Sequence, residues 1–260
     1  MRVLTWNMGM LKHPWPRPGL QDQAWHFLLG LAPDIAFVQE TFPPAWVRGE
    51  GTLIHEPITK AGSVLFSPRY PIERVRPPQG SNLRSLGAYL AFGRMTIPDG
   101  SELLIVSVHA RHGNASAGHL TGLAGPARAE VKRASLRKPH VNDAVFMGLR
   151  SMVPDRFLVA GDWNTARAQS DPDAGVQFFK RIEEAEWYDC SWEANDHQEI
   201  PTRFKEDSSI QDDHAFCDPT LGTSLRSVVV TTDAVAHWHL SDHAPLVLDF
   251  DVEPISQSNL

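Results

Sequence analysis

Residues 157–164, Phe-Leu-Val-Ala-Gly-Asp-Trp-Asn, place a short apolar run directly before Gly161, Asp162 and Asn164. An apolar run of this length that is bounded by glycine predicts a buried β-strand, here Arg156–Ala160. The polar residues after it are typical of a turn, in which Asp and Asn bond their own backbone. They also fit a functional site, because the loops at strand ends are where such side chains collect.

The same arrangement recurs along the chain. Strand-like segments lead into Asn7, Glu40 and His109, and polar triplets occupy positions 212–214 and 241–243. Each of these alone is typical of a turn or a helix cap. Six such strand ends in one chain are harder to attribute to turn chemistry, and together they favour a shared site.

The remaining pattern predicts more strands than helices. This favours a mixed or largely antiparallel sheet system flanked by helices over a strict βαβ repeat. No polar linker is long enough to split the chain, so we expect one domain over residues 1–260. The predicted helices are Leu20–Leu31, Pro126–Lys138, Asn142–Met152 (capped by Asn142 or Asp143) and Ala174–Glu186, and the other predicted strands are Val3–Trp6, Asp34–Gln39, Ser63–Ser67, Gly87–Arg94, Glu102–His109, Asp213–Cys217, Leu225–Val230 and Pro245–Asp251.

Composition excludes several classes of protein. The chain has 260 residues and a net charge of −7, which excludes a uniformly basic nucleic-acid binder. Hydrophobic residues make up 42% and charged ones 21%, which argues against a disordered chain. No apolar run approaches the roughly 20 residues of a membrane span, so we expect no stable membrane insertion. The two cysteines fit a reduced compartment, and no signal peptide follows Met1, so we expect a cytoplasmic protein.

The polar residues suit phosphate chemistry. Glu40 and the aspartates are hard oxygen ligands of the kind that Mg²⁺ takes, with Mn²⁺ as an alternative. Asn7 and Asn164 carry amides that can bind a phosphate oxygen, and His243 could orient a nucleophile or bind a phosphoryl group. A metal, a water-activating group and a phosphate clamp are the parts that phosphoester hydrolysis requires. Zinc is less favoured, since the expected His and Cys spacings are missing from the sequence.

Four segments resemble the signature blocks of the endonuclease/exonuclease/phosphatase superfamily, whose members have the deoxyribonuclease I-like fold. They are Thr5–Gly9, Asp34–Thr41, Gly161–Asn164 and Ser241–Pro245, in the family's order along nearly the whole chain. The resemblance implies an α/β fold, a four-layered α/β/β/α sandwich with two mixed β-sheets packed face to face and helices outside. It also implies a divalent-metal-dependent phosphoesterase.

The resemblance further implies roles for particular residues. These are Glu40, Asn7 and Asp242 as metal ligands, Asn7, Asn164 and His109 as phosphate-binding residues, and His109, Asp162, Asp213 and His243 as catalytic residues.

Asp213 would pair with His243, but Asp212 stands where the family has an apolar residue, which leaves open which aspartate pairs. His109 resembles the deoxyribonuclease I, sphingomyelinase and phosphoinositide-phosphatase branches. Exonuclease III and the abasic-site endonucleases carry a Tyr-bearing motif at that position instead, and this chain does not.

The substrate is harder to predict from the sequence. The segment Arg128–Lys138 is strongly basic and could follow a polynucleotide backbone, although a solvated helix face explains it equally well. Of the eight Trp residues, Trp6, Trp163 and Trp238 could stack on bases, but core packing is the commoner role. His237 and His239 flank Trp238 and could join it in a wall of the site.

These observations favour a Mg²⁺-dependent phosphodiesterase, most simply a nuclease with DNA or RNA as its partner and substrate. The alternative is a phosphatase or phospholipase C-like hydrolase acting on an inositol phosphate, a lipid headgroup or another small phosphoester. A binding module that has lost catalysis is a third hypothesis, and the complete set of candidate ligands argues against it. No protein partner is inferred from the sequence.

Overall fold

The computed structural model describes residues 1–10, 18–58, 61–111, 113–123, 128–129, 140–168, 172–205, 208–231 and 240–252. Within these ranges, twelve strands form two six-stranded sheets, and two further strands form a short hairpin. None of the helices in the described ranges has the length and hydropathy that a membrane span requires.

The first sheet has the strand order β13-β14-β1-β2-β4-β3. Its central pair, β1 and β2, is parallel, and every other neighbouring pair is antiparallel. The sheet is therefore mixed, and it combines the early strands of the chain with its last two. The strands are β1 (Arg2–Asn7), β2 (Ile35–Thr41), β3 (Thr52–Ile58), β4 (Ala61–Ser67), β13 (Leu225–Val230) and β14 (Leu246–Phe250).

The second sheet has the strand order β5-β6-β7-β8-β12-β9. It repeats the plan of the first, since β7 and β8 are parallel and the other neighbours are antiparallel. Its strands are β5 (Glu73–Arg74), β6 (Leu90–Thr96), β7 (Glu102–His109), β8 (Phe157–Asp162), β9 (Tyr188–Asp189) and β12 (Asp213–Cys217), and the separate hairpin consists of β10 (Arg203–Lys205) and β11 (Ser208–Ile210).

The two sheets pack against each other through one set of alternate side chains. Val3 and Phe37 of the first sheet share a buried cluster with Ile105, Ala160 and other residues of the second. Because successive side chains of a strand point to opposite faces, their neighbours form separate outer clusters. The described helices are α1 (Pro18–Gly30), α2 (Asn82–Leu86), α3 (Val141–Arg150), α4 (Pro172–Glu184), α5 (Cys190–Ala194) and α6 (Pro219–Gly222).

Helices cover both outer faces. On the first sheet, Leu4 and Val38 pack with Trp25 and other residues of α1. On the second sheet, buried residues of β7 and β8 pack with α3 and α4 around Phe146 and Phe178. The predicted four-layered α/β/β/α sandwich is therefore confirmed.

Three local predictions differ from the structure. The segment predicted as a strand from Gly87 begins as a 3-10 turn, Gly87–Tyr89, and becomes a strand only at Leu90. The N-cap residue of helix α3 is His140, which makes no side-chain capping bond, so neither Asn142 nor Asp143 occupies the N-cap position. Strand β3 was not predicted. The predicted helix Pro126–Lys138 lies outside the described residues except for 128–129.

Candidate active site

The candidate site lies at the end of the two sheets where the carboxyl ends of their parallel strands meet. The carboxyl ends of the parallel pair β1 and β2 carry Asn7 and Glu40, and those of β7 and β8 carry His109 and Asp162. Strand β12 runs antiparallel to β8 and β14 runs antiparallel to β1, so their amino ends reach the same edge. The topology therefore gathers residues that are up to 236 positions apart in the sequence, from Asn7 to His243.

Strand pairing in the second sheet sets three of these residues side by side. His109 lies opposite Asp162, and Asp162 lies opposite Asp213 on its other flank. Gly161 permits the close approach at this point, because a Cβ atom there would lie 1.9 Å from the carbonyl oxygen of Val108. Its φ of +152° also disfavours other residues.

Glu40 reaches the site through an irregularity in β2. The pairing of β2 with β4 shifts between Val38 and Thr41, which marks a β-bulge, and Glu40 has a φ of +49°. Regular alternation would place Glu40 on the outer face with Val38. A bulge re-aims a side chain, and positive φ in a non-glycine residue is costly unless the surroundings impose it. The backbone thus turns this carboxylate toward the site.

Glu40, His109 and Asp162 form a compact buried cluster. One ligand atom from each lies within 4.8 Å of the others. The Nε2 atom of His109 is 3.3 Å from Glu40 Oε1 and 3.8 Å from Asp162 Oδ2. The Nε2 atom therefore faces both carboxylates.

Asn7 connects the two sheets at the cluster. Its Nδ2 group donates to Asp162 Oδ2 at 2.7 Å and to Glu40 Oε1 at 3.3 Å. Its Oδ1 atom accepts from the backbone N–H of Gly9 at 2.9 Å, which fixes the orientation of the amide. In this arrangement Asn7 holds the carboxylates through its amino group. Its roles as a metal or phosphate ligand stay predictions.

His243 forms a buried pair with Asp213. Its Nδ1 atom is 2.7 Å from Asp213 Oδ2, and the side chains are 2% and 0% exposed. The backbone around it is held by Ser241 Oγ, which accepts from His243 N, and by Trp6 Nε1, which donates to His243 O. Of the two aspartates that the sequence left open, Asp213 contacts His243.

Burial and charge move two pKa values in this site. Complete burial raises the pKa of Asp162 to about 6, with Asp213 adding to the shift and His243 opposing it. Burial alone would lower the pKa of His243, but Asp213, together with Asp162 and Asp242, raises it to about 9. At neutral pH His243 is therefore charged, while Asp162 lies near the range where it can exchange a proton.

Asp212 and Asp242 are joined by Arg203, a residue that sequence analysis missed. Arg203 Nη1 is 2.8 Å from Asp212 Oδ2, and its Nε atom is 3.3 Å from Asp242 Oδ2. Arg203 lies on the three-residue strand β10, which gives no periodic signal, so the sequence offered no way to place it. The structure sets Asp242 beside this guanidinium and beside Gly9. Its role as a metal ligand stays a prediction.

Asn164 follows the cluster in a tight turn. Its backbone N–H donates to Asp162 Oδ1 at 2.8 Å, and its φ of +48° is one that Asn tolerates better than most residues. The turn therefore fixes the second oxygen of Asp162. The contact of the Asn164 side chain with phosphate stays a prediction.

Two tryptophans in the motifs serve the core. Trp6 is 1% exposed and Trp163 is fully buried, so neither can stack on a base, and packing explains both. Trp238, His237 and His239 lie outside the described residues. So does the basic segment Arg128–Lys138, apart from residues 128 and 129.

The donor set fits a divalent metal ion. Glu40 and Asp162 supply carboxylate oxygens, which Mg²⁺ and Mn²⁺ prefer, and His109 supplies an imidazole nitrogen, which Mn²⁺ also accepts. All three residues are buried, and a cation would offset the two neighbouring carboxylates.

Comparison with known proteins supports the fold. Neither a family model nor a curated protein matches the chain. Among solved structures, it is similar to the 3′-5′ exonuclease NExo from Neisseria meningitidis, with a TM-score of 0.70, 20% identity and coverage of 97% of this chain and 100% of that one. It is also similar to an AP endonuclease from Archaeoglobus fulgidus, with a TM-score of 0.69, 17% identity and coverage of 97% and 100%.

A third similar structure is an endonuclease/exonuclease/phosphatase family protein from Leptotrichia buccalis C-1013-b, with a TM-score of 0.64, 14% identity and coverage of 97% and 100%. At these identities the likeness establishes the fold alone. The chain therefore has the deoxyribonuclease I-like fold.

Proposed function

We propose that this chain is a divalent-metal-dependent phosphodiesterase, most simply a Mg²⁺-dependent nuclease acting on DNA or RNA. The observation that carries the proposal is the meeting of the Glu40–His109–Asp162 cluster with the Asp213–His243 pair at one edge of both sheets. Three carboxylates and two imidazoles in contact are costly to bury for stability alone. They are the groups that phosphoester hydrolysis uses.

Asp162 is suited to act on the attacking water. A raised pKa near 6 makes its carboxylate a stronger base than an ordinary aspartate while leaving it ionised at neutral pH. Asn7 and the Asn164 backbone N–H hold both of its oxygens in place. In the proposed reaction a water oxygen forms a bond to phosphorus and passes its proton to Asp162.

His243 is suited to hold the phosphoryl group. Its imidazole is charged at neutral pH because Asp213 stabilises the charged form. A fixed cation beside the reacting phosphorus stabilises the negative charge that develops in the transition state. The pKa values of Asp162 and His243 are both raised, so at neutral pH the carboxylate is the basic group and the imidazole is the cation.

His109 is suited to assist the leaving group. Its Nε2 atom lies among Glu40 and Asp162, so it is positioned inside the site and presents a donor there. When the bond from phosphorus to the leaving oxygen breaks, His109 would supply the proton that the oxygen requires.

A divalent metal ion, when bound, would neutralise charge on the phosphoryl group and lower the pKa of a bound water. Glu40 would hold it. Asn7 and Asp242 are the further candidates from the sequence.

A substrate panel tests the proposal. Single- and double-stranded DNA, RNA, a phosphodiester reporter, a phosphomonoester reporter and inositol phosphates are incubated with Mg²⁺, with Mn²⁺ and with EDTA. We expect metal-dependent cleavage of the nucleic acids and of the diester reporter. Glu40→Gln should reduce the rate by at least ~10²-fold, whereas Glu102→Gln, an exposed carboxylate at the start of β7, should leave it unchanged.

The panel also separates the alternatives. Cleavage of monoesters or inositol phosphates alone would replace the nuclease by a phosphatase or phospholipase C-like hydrolase. Failure to cleave any substrate, from a folded protein with added metal, would refute the proposal and favour a binding module.

A further inference from the structure

A tyrosine and an arginine lie against the outer side of His109. Tyr89 ends the short turn that leads into β6, and Arg111 follows His109 by two residues. Strands β6 and β7 pair with Leu90 opposite Val108, so the next position along brings Tyr89 level with His109. Tyr89 precedes His109 by 20 residues in the sequence, and no motif connects these two residues.

The three side chains form a continuous row. The rings of Tyr89 and His109 are 5.8 Å apart between centroids and meet at 67°. The Arg111 guanidinium carbon lies 5.6 Å from the centre of the Tyr89 ring, and Arg111 Nη1 donates to Tyr89 Oη at 3.1 Å. The row runs outward from the buried imidazole, through a half-buried phenol, to an exposed cation.

The position of Tyr89 is fixed, while the charge of Arg111 remains available. The backbone oxygen of Tyr89 accepts from Ser63 Oγ at 2.9 Å, which ties the turn to the first sheet. Arg111 forms no salt bridge with a carboxylate of the described residues, and the contact of an exposed cation with an aromatic ring contributes little to stability. Stability therefore gives little reason for this arrangement, whereas an anionic ligand would supply the missing partner.

The neighbourhood of His109 indicates which part of a ligand this row would meet. His109 faces Glu40 and Asp162 on its inner side, and Tyr89 packs on the imidazole from another side. If the leaving oxygen lies at His109, the group attached to that oxygen would extend past Tyr89 and Arg111. An aromatic face followed by a cation matches a sugar and base followed by the next phosphate of a strand.

We propose that Tyr89 and Arg111 form a binding site for the nucleotide on the leaving-group side of the scissile phosphate. Tyr89 would contact its sugar or base, and Arg111 would pair with the following phosphate. The inference rests on the proposed phosphodiesterase function and narrows its substrate class to a nucleic-acid strand with at least two consecutive phosphates.

The test compares two substrates of the full chain with metal present. One is a short oligothymidylate, and the other is the p-nitrophenyl ester of thymidine 5′-phosphate, whose leaving group carries neither a nucleoside nor a phosphate. The measured quantity is the ratio of kcat/KM for the oligonucleotide to kcat/KM for the ester. Arg111→Gln should lower this ratio by about tenfold or more, because one charge-assisted hydrogen bond to phosphate is lost.

Tyr89→Ala should lower the ratio by about tenfold, the effect of losing one stacked base, and Tyr89→Phe should retain most of it. The salt dependence of oligonucleotide binding should also weaken by about one phosphate contact in Arg111→Gln. Arg94→Gln removes the same charge from an exposed position farther along β6, and Tyr70→Phe alters a tyrosine away from the site. Both controls should keep the wild-type ratio.

An unchanged ratio in Arg111→Gln and Tyr89→Ala would overturn the inference while the phosphodiesterase function stands. An equal loss on both substrates would also overturn it, because the two residues would then act through His109. If the wild-type chain cleaves neither substrate, the proposed function fails. The inference is then decided by the anisotropy of a fluorescein-labelled oligothymidylate, which Arg111→Gln should bind about tenfold more weakly; equal binding would refute it.

Discussion

Two buried ion pairs in this protein have similar burial and different surroundings. Asp213 and His243 meet at the candidate site with exposures of 0% and 2%, and Asp143 and Arg181 join helices α3 and α4 with exposures of 4% and 6%. Each carboxylate is opposed by one cation inside the protein. Burial and pairing alone therefore do not distinguish the site from the scaffold.

The difference lies in what else surrounds each pair. Burial raises the pKa of Asp143, and Arg181 with His140 opposes the shift, so this pair is a carboxylate compensated by cations. The pKa of His243 responds to Asp162 and Asp242 as well as to Asp213, so several like charges converge on one imidazole. A scaffold pair balances its charges locally, whereas the site leaves an excess of negative charge that a bound metal cation would offset.

The largest expected effect is on catalysis. Asp213→Asn keeps the shape of the side chain but removes the charge that stabilises charged His243. We expect turnover of the phosphodiester reporter to fall by about 10²–10⁴-fold. The free energy of unfolding should fall by on the order of 1–3 kcal/mol at neutral pH, because His243 loses the carboxylate that stabilises its charged form. A near-wild-type rate measured for folded Asp213→Asn would remove the Asp213–His243 pair from the mechanism.

The scaffold pair should show the opposite result. Arg181→Met leaves Asp143 buried without its cation, and such a loss typically costs about 3–5 kcal/mol of stability. Urea denaturation of Arg181→Met should show that loss, while the rate per folded molecule stays within about twofold of wild type. Adding Asp143→Leu to this variant should restore much of the stability, because the unpaired buried charge is then removed. Lost activity without lost stability would contradict the assignment.

The two pairs should also differ in their response to pH when metal is chelated. The folded pKa of His243, about 9, lies above its ordinary value of 6.5. Its stabilising contribution is thus complete below pH 6.5 and is lost as pH rises to about 9. Relative to Asp213→Asn, wild type should lose on the order of 1–3 kcal/mol across this window in urea denaturation. Arginine stays charged there, so the difference between wild type and Arg181→Met should stay constant.

The smallest effect is expected from an exposed pair on the same helix as Arg181. On α4, Lys180 Nζ lies 3.8 Å from Glu184 Oε1, and both side chains are more than half exposed. Lys180→Met should change the free energy of unfolding by less than about 0.5 kcal/mol, since such pairs contribute little in water. A loss as large as that of Arg181→Met would mean that burial does not explain the cost.

Most strands were predictable from the sequence because their signals are local, whereas the four layers were implied by the family resemblance. Apolar runs such as Glu102–His109 need only composition and length to be identified. Strand β3 escaped because it contains Pro57, which argues against a central strand. The structure places β3 at the edge of its sheet, where proline is tolerated.

The site was predictable as a set of residues but not as a geometry. Adjacent residues point to opposite faces of a strand, so choosing between Asp212 and Asp213 required the pairing of β12 with β8. The turned backbone at Glu40 and the contact of Tyr89 with His109 depend on how strands from distant parts of the chain are aligned. No local pattern encodes such alignments.

The strand order of the first sheet has a consequence for how the chain is made. Strand β1 is synthesised more than 200 residues before β14, its neighbour on one side. Until then the nascent chain carries an apolar strand with an open edge, the kind of surface that chaperones cover. His243 arrives in the same late segment. We expect a ribosome-bound chain to be catalytically silent until its last strands are released.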